Sequence, residues 1–223
     1  MHPTLRIPTR WLRQAAVYGV MTFAALAAAG AAYAAPDAAF QSAFQNFVQG
    51  QAGDAGAVDK SADAFAELLK AEPANPVLMV YAGASTALKA STTSLPWKKM
   101  GYAEDGLAQV DKALAMLTPA HDAPIQRGTP GALEVRFVAA NTYLAMPPFM
   151  NRAERGAKLL NDVIASPLFD KAPLPFKGNV WMRAGKLAEQ QQRKDDAKRY
   201  FQQVVDQAAP QADAARAKLK ESA

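Results

Sequence analysis

Residues 180–205 contain the spacing of large and small side chains that most constrains the fold. Trp181 and Gly185 are followed by Ala197 and Phe201, and most other positions in this stretch are polar. Residues three or four positions apart share one face of a helix, small residues let two helices approach closely, and bulky residues fill the remaining space. The stretch therefore predicts a pair of helices in contact at Gly185 and Ala197. Trp181 and Phe201 are expected to fill the gap between this pair and its neighbours.

The same helical pattern extends over most of the chain. Apolar residues recur at steps of three and four, alternation typical of strands is scarce, and Pro, Asn and Asp fall where the pattern breaks. The first four predicted helices span about 37–50, 54–71, 76–90 and 97–118. The fifth is capped by Thr129-Pro130 and ends before Pro147, and the sixth runs from a capping box of Asn151 and Glu154 to about Ser166. The two helices of 180–205 follow, and a last helix begins at Pro210. The fold class is therefore predicted to be all-α.

The first 34 residues have the layout of a secretory signal peptide. They contain three arginines and no acid, followed by an apolar run that closes with Ala32-Tyr33-Ala34. A positive start, an apolar middle and small residues at the cleavage site are the signals for export. We therefore expect cleavage before Ala35, a helical domain over 35–223 and a bacterial periplasmic location. The alternative is an uncleaved anchor, because the run from Ala15 to Ala35 is just long enough to reach across a bilayer.

Charge and cysteine content exclude several classes of protein. Residues 1–34 hold three of the 25 basic residues and none of the 20 acidic ones, so the remainder carries a formal charge of only +2. A nucleic-acid-binding protein needs a concentrated basic face, and only short basic runs are present. The chain has no cysteine, which excludes disulfides and a lipid anchor attached to cysteine. No nucleic acid is therefore expected as a partner, and contact with the membrane is expected only through the leader.

The helix pair of residues 180–205 resembles the tetratricopeptide repeat, a unit of about 34 residues made of two helices. The residues that carry the resemblance are Trp181, Ala184, Gly185, Ala197, Phe201, Val204 and the closing Pro210. An earlier pair repeats part of the pattern, with Pro73 followed by Met79, Ala82 and Gly83. The resemblance implies a right-handed solenoid of about four helical hairpins plus a C-terminal capping helix. An irregular all-α bundle is the alternative, because small residues at helical spacing also occur in tight bundles.

Two other pairs match this pattern only in part. Ala139, Ala140 and Tyr143 fit the third pair, but Arg136 occupies the position of the bulky residue. On an apolar face, Arg136 is expected to reach solvent or to pair with Glu134 or Asp162, and otherwise the register of this pair is wrong. In the first pair, Phe44 and Val48 stand where a bulky residue and a glycine are expected.

The sequence contains no recognised catalytic or metal-binding motif. His121 is the one histidine after the leader, and it lies in a loop beside Asp122. No second histidine or cysteine is available there for a metal site, and nucleophile elbows, Gly-rich phosphate loops and zinc-protease motifs are lacking. We therefore expect neither enzymatic activity nor a cofactor.

In the tetratricopeptide family the first helix of each pair lines a concave face where partners bind. The resemblance places on that face Val80, Phe137, Asn141, Leu144, Asn179, Met182 and Lys186, with Gln45, Gln49, Ala84, Leu88 and Glu189 beside them. This apolar floor favours an extended segment of a partner protein, with its backbone held by Asn141 or Asn179. The alternatives are ordinary core packing for Phe137, Leu144 and Met182, and a structural amide for Asn141.

Three function classes follow from these features. The first is a scaffold or adaptor that binds a protein or peptide, and the second is an accessory of a transport system that binds a small ligand or lipid. The third, a hydrolase with an unrecognised site, would depend on His121 or a loop acid. The Pro-aromatic loops at 96–97, 147–149 and 174–176 are expected either to pack under the helices or to form an exposed apolar rim.

Overall fold

The computed structural model describes residues 37–221, and most of this range is helical. Its nine α-helices are α1 (Asp37–Gln51), α2 (Ala55–Ala71), α3 (Pro76–Thr92), α4 (Pro96–Ala115), α5 (Gly131–Leu144), α6 (Ala153–Ile164), α7 (Leu174–Gln190), α8 (Lys194–Asp206) and α9 (Ala212–Glu221). Strands β1 (Pro124–Gln126) and β2 (Thr129–Pro130) form a short antiparallel ribbon. The predicted all-α class is confirmed. The predicted signal peptide and its cleavage site lie outside the described residues.

Successive helices pack in pairs. The contacts join α1 to α2, α3 to α4, α5 to α6 and α7 to α8, while α9 covers α8. The first helices of the first three pairs also touch, because α3 contacts both α1 and α5. Buried side chains form one core cluster from α1 to α5 and a second from α5 to α9. Within residues 37–221, none of the helices combines the length and the apolar character needed to cross a membrane.

Each pair has a glycine where its two helices approach most closely. A Cβ atom at Gly106 of α4 would lie 2.5 Å from the Gly83 carbonyl oxygen of α3, which is far inside van der Waals contact. The corresponding contacts elsewhere are Gly50 of α1 with Val58 of α2, Gly156 of α6 with Ala140 and Leu144 of α5, and Gly185 of α7 with the Phe201 ring of α8. Gly83 and Gly185 are both buried, as their predicted role requires.

Several packing details differ from the sequence-based expectations. The Phe201 ring lies against Gly185 of its own pair, whereas it was expected to fill a gap between pairs. Trp181, by contrast, does lie between two pairs, where it meets Phe169 edge-on, with ring centroids 5.7 Å apart, in the connection between α6 and α7. In the first pair the close contact is at Gly50, and Val48 is 46% exposed. The spacing of residues identified a helix pair but not the partner of every bulky side chain.

Arg136 is half-buried, so its side chain partly reaches solvent, which is one of its two expected arrangements. It donates a hydrogen bond to the Ala132 carbonyl at 3.4 Å and, among the described residues, forms no ion pair. Glu134 pairs with Arg127, and Asp162 pairs with Lys158. The expected pairing with an acid is therefore wrong, and the register of this helix pair stays a prediction.

Two predicted helix caps are also wrong. Thr129 belongs to β2, and α5 begins only at Gly131 without a side-chain cap. Asn151 has a positive φ of 52° and donates to the Phe149 carbonyl, whereas α6 begins at Ala153. In both places the residue predicted as the cap belongs to a short element that precedes the helix.

We predict opposite effects for two Gly-to-Ala changes in α4. Gly106→Ala places a methyl group against the backbone of α3 and is expected to lower the free energy of unfolding by about 1–3 kcal/mol. Gly101→Ala meets no atom within 4 Å and is expected to raise it by roughly 0.5–1 kcal/mol, because alanine is the better helix former. Urea unfolding followed by circular dichroism measures both. Equal effects would contradict the proposed helix contact.

Candidate binding pocket

A pocket of about 520 Å³ lies among α1, α3, α4, α5 and the turn after α5. Its described lining is mostly apolar: Phe47, Ala84, Ala87, Leu88, Ala90, Pro96, Met100, Ala103, Ala145, Met146, Pro147, Phe149 and Met150, with the polar residues Gln51, Ser91, Lys99, Asn141 and Thr142. Exposed Met100 and Phe149 belong to the lining, so the pocket reaches the surface. Its size is typical of sites for small molecules.

Small side chains create the space of the pocket. Ala84, Ala87 and Ala90 recur at steps of three along α3, and Ala103 faces them from α4. An alanine removes most of the side-chain volume that would otherwise fill the region between helices. Methionine side chains from α4 and from the turn after α5 form much of the remaining wall. Because methionine is flexible and polarizable, such walls adapt to the shape of an occupant.

Few polar groups in the pocket are available to an occupant. The Thr142 hydroxyl donates to the Val138 carbonyl at 2.9 Å, and the Ser91 hydroxyl donates to the Leu88 carbonyl at 2.7 Å. Both hydroxyl groups thus bond to their own helices. Among the described lining residues, the side chains of Gln51, Lys99 and Asn141 remain for an occupant. Lys99 is the one charged residue in that set, so the site combines an apolar interior with a single positive charge.

A buried polar cluster holds the first helices of three pairs together. Arg127, in the turn between β1 and β2, donates to Glu134 Oε1 of α5 at 2.6 Å and to the Tyr81 hydroxyl of α3 at 3.0 Å. Tyr81 donates to the same Glu134 oxygen at 2.9 Å. The Arg127 guanidinium also lies 3.7 Å from the ring centroid of Phe44 in α1. The cluster therefore joins α1, α3 and α5, which supply three walls of the pocket.

Burial sets the direction of the pKa shifts of Glu134 and Tyr81 in this cluster. It raises the pKa of Glu134, and the neighbouring Arg127 charge and the hydrogen bonds from Arg127 and Tyr81 oppose that rise without cancelling it. The pKa of Tyr81 is also raised, first by burial and then by the Glu134 charge. Glu134 is almost fully buried, so its carboxylate depends on Arg127 as its compensating charge. The cluster is therefore a structural link, and its loss would leave a buried carboxylate without a compensating charge, which destabilises the fold.

Of the seven residues predicted to bind a partner, Asn141 alone lines this pocket. Val80 and Met182 are buried in the two core clusters, so neither presents a free surface, and the core interpretation of Met182 is confirmed. Phe137 is half-buried against Phe176, with ring centroids 5.3 Å apart. Helical spacing alone does not indicate this burial, because it depends on packing against residues distant in the sequence.

The other three predicted residues lie outside the pocket lining. Leu144 is half-buried and packs at the contact with Gly156. The Asn179 side chain accepts a hydrogen bond from Gln211 at 2.8 Å, which occupies its carbonyl oxygen. Lys186 is exposed on α7. From the wider predicted face, Ala84 and Leu88 do line the pocket together with Asn141.

Sequence reasoning missed the residues of α4 and of the turn after α5. Lys99, Met100 and Met146 were not predicted as site residues. Two of the three predicted Pro-aromatic segments, however, do contribute residues to the pocket. Pro96 and the loop at 147–149 contribute to the lining, and their aromatic residues are exposed, as predicted for an apolar rim. Residues 174–176, predicted as a loop, form the first turn of α7, and Phe176 is buried there.

The loop histidine and the acidic residues serve local structure. His121 Nδ1 accepts a hydrogen bond from the Thr118 backbone N–H at 2.9 Å and thereby closes a short turn. Asp196 pairs with Arg193 and Arg199 on the surface of α8. In residues 37–221, no group of three or more His, Asp or Glu residues is arranged to hold a metal ion.

No protein-family model, curated protein or solved structure matches this chain. The pocket and its surroundings are therefore the basis for a functional proposal.

We predict that Arg127→Ala destabilises the fold in a pH-dependent way. Loss of the cation leaves the buried Glu134 carboxylate uncompensated, at a cost of roughly 3 kcal/mol near neutral pH. The pKa of Glu134 then rises further in the folded state, so the folded state binds the proton more tightly than the unfolded state. The stability of the variant should therefore fall as the pH rises above about 4.3.

Urea unfolding at several pH values between 4 and 8 tests this prediction. The matched control is the double variant Arg127→Ala with Glu134→Gln, which keeps the backbone change but removes the titrating acid. Its stability should depend less on pH than that of the single variant. Identical pH profiles for the two variants would contradict the role of Glu134.

Proposed function

We propose that this protein binds a small apolar or amphipathic molecule in the pocket among α1, α3, α4 and α5. The observation that carries the proposal is a cavity of about 520 Å³ with a mostly apolar lining. Ligand pockets typically enclose about 300–1,000 Å³ and combine apolar walls with a few polar groups. This proposal corresponds to the second function class indicated by the sequence, an accessory that binds a ligand or lipid.

The scarcity of polar partners favours this ligand over an extended peptide. Each buried peptide group without a hydrogen bond costs about 1–3 kcal/mol. Thr142 and Ser91 bond to their own helices, which leaves Gln51, Lys99 and Asn141 to serve an occupant. An extended segment brings an N–H and a C=O group with nearly every residue. An alkyl chain has no such requirement and gains about 0.8 kcal/mol for each buried methylene.

We also propose a tetratricopeptide-like solenoid and a periplasmic location. The recurring glycine contact within helix pairs supports repeated hairpins, and the contacts of α3 with α1 and α5 support stacking of their first helices. The layout of residues 1–34 supports export and cleavage before Ala35. A ligand-binding accessory of an envelope transport system would combine these features.

A second candidate function is supported by the exposed apolar residues near the pocket. In the described part of the chain, the large hydrophobic residues with high exposure are Val48, Leu95, Trp97, Met100 and Phe149. Each of them either lines the pocket or is next in sequence to a residue that lines it. Trp97 and Phe149 are 69% and 66% exposed. Exposed apolar patches often mark surfaces that another protein covers, and exposed Met100 and Phe149 at the pocket make a scaffold or adaptor the second candidate.

We predict that Ala145→Phe blocks binding while the fold remains intact. Ala145 is exposed at the end of α5 and lines the pocket, so a larger side chain can enter the cavity without disturbing the core. The measurement is displacement of a fluorescent apolar probe by straight-chain alcohols of eight, ten and twelve carbons. In the unchanged protein, affinity should rise about fourfold for each added methylene until the cavity is full. In the variant, the rise should disappear.

Ala165→Phe is the matched control for this experiment. Ala165 is exposed at the end of α6 in a backbone conformation close to that of Ala145, but it does not line the pocket. Its variant should keep the dependence of affinity on chain length. The proposed function would be abandoned if the unchanged protein showed no such dependence, or if both variants lost it equally.

The second candidate makes a separate prediction about crosslinking. A photoreactive residue in place of exposed Phe149 should form an adduct with one defined envelope protein in cells. The same residue in place of exposed Lys186, which the sequence placed on a concave face of α7, should not form that adduct. Absence of a defined adduct at position 149, or the same adduct at both positions, would count against protein docking at the pocket rim.

A further inference from the structure

We propose that the ligand is a single-chain amphiphile with a negatively charged head group, whose alkyl chain fills the pocket and whose head group contacts Lys99. This inference rests on the proposed ligand-binding function and specifies the chemistry of the ligand. Three observations support it: the charge of Lys99, the partial positive charge at the start of α4, and the flexible apolar side chains of the pocket walls.

The first argument is the uncompensated charge of Lys99. Among the described lining residues, Lys99 is charged and none is acidic. No carboxylate in residues 37–221 forms an ion pair with it. Most other lysines of that range are also without an ion pair, and Lys99 differs from them because it lines the pocket. An anionic head group would supply the counter-charge that the protein does not provide at this position.

The second argument is the orientation of α4 at the same end of the pocket. Pro96 opens α4 and lines the cavity, and Lys99 follows in the first turn. The residue before Pro96 is Leu95, which makes no side-chain hydrogen bond to the helix, and the first turn contains no acid. The start of a helix carries a partial positive charge from its backbone N–H groups. That charge acts in the same direction as Lys99 and favours an anion.

The third argument concerns the alkyl chain. The walls contain Met100, Met146 and Met150, whose flexible side chains suit an unbranched chain that has no fixed shape. The remaining polar side chains, Gln51 and Asn141, are uncharged and add no requirement for a second ionic group. The site therefore fits one alkyl chain with one charged end, whether the charge comes from the carboxylate of a fatty acid or from the phosphate of a lipid.

The test compares head groups on one chain length. Dodecanoate, dodecyl phosphate, dodecanol and dodecyltrimethylammonium compete with the fluorescent apolar probe below their micelle concentrations. Both anions should bind roughly fivefold or more tightly than dodecanol, and the difference should shrink with added salt. The cation should bind most weakly. The ratio between the two anions indicates whether a carboxylate or a phosphate is the natural head group, and either ratio supports an anionic ligand.

Two neighbouring lysines provide the matched variants. Lys99→Gln should abolish most of the preference for anions, measured as the ratio of anion affinity to dodecanol affinity in the same variant, while Lys99→Arg should retain the preference. Lys98→Gln is the control, because Lys98 is exposed in the same turn but does not line the pocket. Lys99 is itself exposed, so its replacement should not disturb the fold, and circular dichroism verifies this.

The possible failures are distinguishable. If dodecanol binds with the expected dependence on chain length but the anions bind no more tightly, this inference is wrong and the proposed function remains. An anion preference that survives Lys99→Gln, or that Lys98→Gln removes equally, would also overturn it. If none of the twelve-carbon compounds binds, both the inference and the proposed function are wrong.

Discussion

The close approach of helix backbones at glycine residues is the constraint on which the rest of the structure depends. Gly106 and Gly83 bring α3 and α4 so near to each other that a single added methyl group would meet backbone atoms, which cannot move as a side chain can. The other three pairs are drawn together by Gly50, Gly156 and Gly185. The position of the pocket follows from these contacts, because α3 packs tightly against α4 on one side and contributes to the cavity wall on another. Ala87 takes part in both, since it lies against Gly106 and also lines the pocket.

Small residues thus have opposite effects in different parts of the same fold. At the glycine contacts they allow dense packing, whereas at the alanines of α3 and α4 they leave a cavity because no neighbouring element fills the space. Walls around a cavity lose dispersion contacts on one side and need support elsewhere. The cluster of Arg127, Glu134 and Tyr81 provides such support by connecting α3 and α5, and the contact of Arg127 with Phe44 extends it to α1. The pocket therefore lies between the tight contact of α3 with α4 and the buried ion pair of Arg127 with Glu134.

The sequence predicted the helices more accurately than the site, for physical reasons. Periodicity and prolines are local signals, so the start of α3 at Pro76 after the capping Asn75 was predictable. Burial of a helix face depends on elements distant in the sequence. Val80 and Met182 have the spacing expected of an exposed concave face but are covered by other helices. Lys99 was not recognised, because only the fold brings the first turn of α4 beside α5 and the turn that follows it. The exposed apolar residues at the start of α4 and in the turn at 147–149 were the part of the site that the local sequence indicated.

The polar groups of the described chain also include two sets with different surroundings. In the first set, side chains make structural bonds: Glu134 with Arg127 and Tyr81, Asp111 with Tyr143 and two arginines, and His121 with the backbone of Thr118. The pocket contains a different set, in which Lys99 provides charge and Gln51 and Asn141 provide amides. Under the proposed function, the apolar walls and the charge of Lys99 would together select an occupant by its length and by the sign of its charge.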